Sequence, residues 1–108
     1  MPFETFWPRY LNAHADPRTR AMHVAGTLAA TALMVGAIAM RRPWLAAAAL
    51  AAGYGPAWAA HFFIEKNRPE TFKAPLQSLA ADYLMTWHAL SGTLDEQLAT
   101  HLSSAGAE

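Results

Sequence analysis

Two stretches decide the fold of this chain: "AMHVAGTLAATALMVGAIAM", Ala21–Met40, and "WLAAAALAAGYGPAWAAHFFI", Trp44–Ile64. They are 20 and 21 residues long, carry no formal charge, and are separated only by Arg41-Arg42-Pro43. A helix rises about 1.5 Å per residue, so either stretch can cross the roughly 30 Å hydrocarbon core of a bilayer. The competing reading is a pair of core helices in a soluble bundle. In a chain of 108 residues, 54% hydrophobic and 15% charged, little polar sequence remains to cover two helices that are apolar all round. The sequence therefore predicts an all-α, integral membrane, single-domain protein over 1–108. Its centre is a two-helix transmembrane hairpin with spans at about 21–40 and 44–64.

The hairpin's ends are well marked. Asp16-Pro17 supplies an N-cap and a proline at the first helical position, so the first arm runs from Pro17 to about Met40. Pro43 starts the second arm, which should reach about Glu65 before Pro69 prevents continuation. Pro56 lies inside this arm and is expected to bend it. Before the hairpin, Phe3 to Leu11 reads as a short N-terminal helix, with Phe6, Trp7 and Tyr10 suited to a membrane–water boundary. After it, residues 75–98 read as one C-terminal amphipathic helix. Its apolar stripe is Leu76, Leu79, Ala80, Tyr83, Trp87, Leu90 and Leu94. The small, polar tail after Thr100 is expected to fray.

Charge and composition narrow the partners. Lys+Arg and Asp+Glu are 8 each, which leaves no basic excess for a nucleic-acid partner. With no cysteine, disulfides and thiolate metal sites are excluded. Glu4 and the early aromatics do not fit a cleavable targeting signal. Arg9, Arg18, Arg20, Lys66, Arg68 and Lys73 flank the open end of the hairpin, against Arg41 and Arg42 at its turn. That asymmetry predicts both termini, and any site at the open end, on the cytoplasmic face. So small a membrane domain could form a homo-oligomer, although no motif compels it.

The five histidines carry the chemistry. A hairpin brings His23, near the start of the first arm, beside His61, near the end of the second. His14 lies just before the cap of the first arm, and Glu65 is one turn past His61. These four residues converge at one membrane surface as candidate metal ligands. Imidazoles and a carboxylate suit zinc, iron, copper or nickel, and two histidines with one carboxylate form the facial triad of non-haem iron(II) oxygenases. Two imidazoles serve equally as axial ligands of a haem, and a structural membrane protein without metal needs none of these groups. His101 reads as surface, and His88 could join the group or face solvent.

The signature His14-x-x-Pro17, His23, then His61-x-x-x-Glu65-Lys66-x-Arg68-Pro69, then Ser78-Leu79, resembles the fungal 2-hydroxy fatty acid dioxygenase and its short bacterial relatives. It spans roughly Phe3 to Gly92. Ala60, where the relatives usually have glycine, and Pro56 depart from the pattern without removing a ligand. The resemblance implies an Fe(2+)-dependent dioxygenase of fatty acid α-oxidation. It would convert a long-chain 2-hydroxy fatty acid and O2 to a fatty acid one carbon shorter, next to the lipid bilayer. His14, His23, His61 and Glu65 are then the expected catalytic and metal-binding residues. Arg20, Arg68 and Asn67 are the expected substrate-binding residues, with Asn67 and Asp82 as candidate orienters of the histidines.

Overall fold

The structure is a computed structural model. It describes residues 2–106, without the side chains of Glu70 and residues 103–106. Five α-helices follow one another among the described residues: α1 Phe3–Ala13, α2 Pro17–Ala39, α3 Pro43–Ala60, α4 Pro75–Ser91 and α5 Leu94–Gly106. A π-helical turn, His61–Glu65, extends α3, and a 3-10 turn, Glu70–Phe72, precedes α4.

The hairpin forms as its punctuation predicts. The Asp16 carboxylate accepts the Arg18 backbone N–H at 2.8 Å, and Pro17 opens α2. Met40 closes α2, Arg41 adopts a positive φ of 53°, and Pro43 opens α3. The two arms run antiparallel at close range. A Cβ on Gly26 would sit 3.0 Å from the Ala52 carbonyl oxygen, and one on Gly36 would lie 3.7 Å from Leu45. Small residues permit this approach, as they do between helices in lipid.

The second arm differs from the expected uniform α-helix. Pro56 remains within α3, and the irregularity comes later, where His61–Glu65 widens into a π turn. Lys66 ends that turn in the left-handed region at φ 60°, with its N–H donating to the His61 carbonyl. Among the described residues α2 alone is long and apolar enough to cross a membrane by length and composition. The reason α3 falls short is chemical. Its alanines are weakly hydrophobic, its Trp, Tyr, Gly and Pro residues dilute them, and Phe62, Phe63 and Ile64 fall in the π turn beyond it.

Three expectations are corrected outside the hairpin. Residues 75–98 are not one helix: Gly92, at φ 79°, ends α4 as a left-handed cap, and Thr93 N–H bonds back to the His88 carbonyl at 2.9 Å. The chain then turns into α5, which continues past Thr100 to Gly106. The aromatics of α1 are not an interfacial belt. Phe6, Trp7, Tyr10 and Leu11 are buried with Ala81 and Met85 of α4, and Leu94 and Leu98 of α5 pack against them. Each such large side chain contributes roughly 1.5–3 kcal/mol on full burial. Trp7 Nε1 also donates to Gln97 Oε1 at 3.0 Å, tying α1 to α5.

The apolar stripe of α4 faces outward. Leu76, Trp87 and Leu90 are 82%, 65% and 66% exposed, whereas Ser78, Ala81, Met85 and Thr86 are buried. The aromatic ridge of α1 leaves space for small and polar residues with one methionine, so the bulky stripe is turned away from the protein. The outer faces of the hairpin are equally apolar, with Val35, Ile38, Trp44 and Phe63 exposed.

Candidate metal centre

Three histidines, from α1, α2 and the π turn after α3, meet beneath the α1 aromatics. His14 is the C-cap of α1, His23 lies in the second turn of α2, and His61 opens the π turn. All are buried, at 1%, 4% and 2% exposure. His14 Nε2 stands 3.0 Å from His23 Nε2 and 3.1 Å from His61 Nε2. The rings are nearly perpendicular, with interplanar angles of 82–89°.

The opposite ring nitrogens decide what these contacts are. His14 Nδ1 donates to the Tyr10 carbonyl at 2.6 Å, and His23 Nδ1 donates to the Thr19 carbonyl at 2.9 Å. His61 Nδ1 lies 2.7 Å from Asn67 Oδ1, and the Asn67 amide is oriented by its Nδ2 donating to the Ala13 carbonyl at 3.2 Å. Each acceptor is an oxygen without a proton, so in the neutral imidazoles each Nδ1 carries the hydrogen and each Nε2 presents a lone pair. Three lone pairs then point at one another with no proton to share, an arrangement that a cation between them relieves. The spacing suits a metal. The three ligand atoms lie within 4.8 Å of one another, close enough for one ion, and imidazole nitrogens suit zinc, iron, copper or nickel.

Burial supports the neutral form. It pushes His14 well below the ordinary histidine range, and the neighbouring His23, His61 and Arg20 charges push the same way. The Tyr10 ring stacks on His14 with centroids 4.0 Å apart, and its hydroxyl donates to the Asp82 carboxylate. Burial raises Asp82 to about 6, against the lowering effect of the Tyr10 hydrogen bond.

The other sequence-predicted residues take different places. Glu65 lies outside the histidine cluster, and its Oε1 accepts the Asp16 backbone N–H at 2.6 Å. This is the reciprocal half of a capping box supplied from another element, and it fastens the start of α2 to the π turn. Arg20 Nη1 donates to the carbonyls of His14 and Ala15 at 2.9 and 2.8 Å, holding the α1–α2 link on which His14 sits. Arg68 is exposed, its guanidinium 5.7 Å from the Phe72 ring centre. Asn67 orients His61 directly, whereas Asp82 reaches Tyr10. His88 is apart from the cluster, with Nδ1 2.6 Å from Thr93 Oγ1, and His101 is in α5.

Sequence reasoning missed Tyr10 and Thr19. Both lie four residues before a clustered histidine on the same helix, the spacing at which an imidazole reaches back to a backbone carbonyl. Thr19 has a further distinction. Its Oγ1 is a fully buried side-chain oxygen without a hydrogen-bond partner, one turn from His23.

Comparison with known proteins now bears on this geometry. A family model described as 2-hydroxy-palmitic acid dioxygenase Mpo1-like matches residues 1–94. Searches of curated proteins and of solved structures find no significant match. The chain belongs to the Mpo1-like family.

Proposed function

We propose that this family member is an iron(II)-dependent dioxygenase of fatty acid α-oxidation. It takes a long-chain 2-hydroxy fatty acid and O2 and yields the fatty acid one carbon shorter, with carbon dioxide and water balancing the equation. The observation that carries this reading is the convergence of three unprotonated Nε2 atoms, 3.0 and 3.1 Å apart, in a buried site of a chain from this family. Iron(II) held there would supply the dioxygen chemistry and a Lewis-acidic anchor for a chelating 2-hydroxy acid.

The chain's own residues do the rest. His14, His23 and His61 would hold the metal through Nε2. Asn67 and the carbonyls of Tyr10 and Thr19 keep those atoms aimed inward, the usual work of groups behind metal ligands. Three protein ligands leave positions for the hydroxyl and carboxylate of the substrate and for O2. Arg20, close enough to His14 to lower its proton affinity, and Arg68 at the surface are the guanidinium groups for the carboxylate. Glu65 acts as a positioning residue by holding the start of α2. The cluster's burial excludes bulk water from the reacting atoms.

Haem fits less well. A haem iron takes one or two side chains, which leaves one of three converging imidazoles without a role. Here two nitrogens stand 3.0 Å apart, with a third histidine beside them.

The hairpin is proposed to sit in the bilayer with its open end at the cytoplasmic face. The outward apolar stripe of α4 and the exposed apolar flanks of α2 and α3 support this, as does the charge asymmetry. A cysteine replacing Arg42 should react with an impermeant reagent outside intact cells. Labelling only after lysis would count against this topology.

The decisive experiment measures iron per chain and O2 uptake on adding 2-hydroxypalmitate, with products identified by mass spectrometry. A fatty acid one carbon shorter is expected, with no turnover of palmitate itself. A site completed by a hydroxyl discriminates strongly against an analogue lacking it. His61→Ala should lose most of the iron and His101→Ala none. Full iron in the His61 variant, a Soret band, or equal turnover of the plain acid would overturn the reading.

A further inference from the structure

A groove of about 240 Å³ opens between α2, α3 and α4. One end is polar, with Thr27 on α2 and Asp82 on α4. Thr27 is one helical turn from His23, and Asp82 accepts the hydroxyl of Tyr10, whose ring stacks on His14. The floor is Ala30 and Gly53, so close that a Cβ on Gly53 would lie 3.2 Å from that of Ala30. The far end, toward the hairpin turn, is apolar, with Met34 and Leu50. The groove thus starts one helical turn from His23, carries the Tyr54 and Tyr83 rings along its walls, with the Tyr83 hydroxyl bonded to Thr31 at 2.6 Å, and ends on aliphatic side chains. Its volume is below the roughly 300–1,000 Å³ of a pocket that encloses a whole drug-sized ligand, which suits part of a long molecule.

We infer that this groove takes the acyl tail of the substrate, with the head at the histidines, and that Met34 and Leu50 at its far end set the preferred chain length. The inference rests on the dioxygenase reading for the identity of the head group. Its physical content is a length. His23 to Met34 is eleven residues along α2, or about 16 Å at 1.5 Å per residue. An extended alkyl chain advances about 1.25 Å per carbon, given bonds of about 1.5 Å, so the path from the cluster to the far end takes about 13 carbons beyond the hydroxyl-bearing one, of which the groove itself, Thr27 to Met34, covers about 8. That corresponds to acids of about C14 to C16. The small floor residues let the tail lie between the arms. The polar end matches the head and the apolar end the methyl terminus, and Ala49, which lines the groove at 2% exposure, is out of reach of a lipid tail bathing the outer surface beside Val35 and Ile38.

The test uses 2-hydroxyhexadecanoic acid carrying a terminal diazirine, photolysed on the full-length protein with iron(II) under nitrogen, where no turnover consumes it. Labelling of Ala49, Met34 and Leu50 is expected, Ala49 being the buried member that a surface-bound tail does not reach. Labelling confined to the outward residues Val35 and Ile38, or no labelling, overturns the groove, even if the protein turns over 2-hydroxypalmitate in air. Labelled Met34 and Leu50 without turnover would leave the groove standing and remove the proposed reaction. Ala30→Leu should block the floor and shift the preferred length down by about five carbons, the 6 Å or so from residue 30 to residue 34. Met34→Ala should shift it up. Helix content and iron content, unchanged in both variants, separate a shifted ruler from a misfolded chain, and an unaltered chain-length profile in both would refute the assignment.

Discussion

At the base of the molecule Phe6, Tyr10, Leu11 and Met85 are no more than 1% exposed, whereas at the hairpin tip Val35, Ile38 and Trp44 are 60%, 75% and 64% exposed. Both regions are apolar, but they are built for different surroundings. The base has three helices around an aromatic ridge and closes on itself, so its stability comes from its own side chains. The tip has two helices drawn together by small residues, and its bulky side chains radiate outward. Exposed apolar surface of this extent on a small chain marks contact with something equally apolar. The histidine cluster lies at the boundary, buried beneath the closed region. That position suits an enzyme whose reacting atoms need a dry, rigid site and whose substrate has a hydrocarbon tail.

The comparison can be broken most directly by truncating one methionine and one isoleucine. Met85→Ala removes a fully buried side chain from the base and should cost about 2–5 kcal/mol in detergent-solubilised protein. Ile38→Ala at the tip should stay within about 0.5 kcal/mol, because its side chain has no protein shell to lose. Equal losses in thermal or denaturant unfolding would show that the tip is packed in solution, by a second copy or otherwise.

Asn67→Ala tests whether the base is also a device for aiming nitrogens. Without its Oδ1, His61 can change tautomer, and iron affinity should fall about 10- to 100-fold in a competition titration with a chelator. Unchanged affinity with lowered stability would reduce Asn67 to a loop fastener. Pro69 and Lys66, which flank it without touching a histidine ring nitrogen, serve as controls.

Acid should act on the base and spare the tip, whose only charges are arginines. His14 has its folded-state value depressed below the 6.5 of an unfolded chain, so between those values the unfolded state binds a proton that the native state refuses. The His14 contribution to the stability of the metal-free protein is therefore fully present above about pH 6.5 and is lost as pH falls below it, by at most about 1.4 kcal/mol per pH unit, while Asp82, raised to about 6, works the opposite way below that pH. Iron retention should persist below pH 6.5 for the same reason, since the folded imidazole stays neutral. A midpoint of iron release at or above 6.5, measured by dialysis across pH, would contradict the depressed value.

The smallest effect compares two glycines on one helix. Gly36→Ala near the tip meets only Leu45, at an ordinary 3.7 Å, and should stabilise by about 0.5–1 kcal/mol through reduced chain entropy. Gly26→Ala nearer the base meets the Ala52 carbonyl at 3.0 Å and should destabilise, because a backbone cannot swing aside. If both variants stabilised, the arms would be looser than the structure has them.

The sequence by itself determined much of the frame. Asp16-Pro17 and Pro43 place the starts of α2 and α3, because capping and proline chemistry act within a few residues. An antiparallel hairpin of that length must then bring His23 to His61, and His14, two residues before the cap, cannot be far away. Local chemistry stops there. The sequence could not tell that Gly92 would divide residues 75–98, since a glycine within an amphipathic run is tolerated as often as it caps. Nor could it tell that the bulky stripe of α4 would face outward, because an apolar stripe predicts burial only where the surroundings are water. Glu65 sits one turn from His61 on paper, yet the Asp16 amide, brought near by the hairpin, takes its carboxylate. The choice of Nε2 over Nδ1 at all three histidines depends on carbonyl and amide oxygens placed by α1, α2 and the loop after the π turn. The Tyr10 and Thr19 carbonyls are local, one turn back on the same helix, but Glu65 meeting the Asp16 amide and Asn67 being held by the Ala13 carbonyl depend on contacts within about 3 Å that only packing between elements far apart in the chain can set.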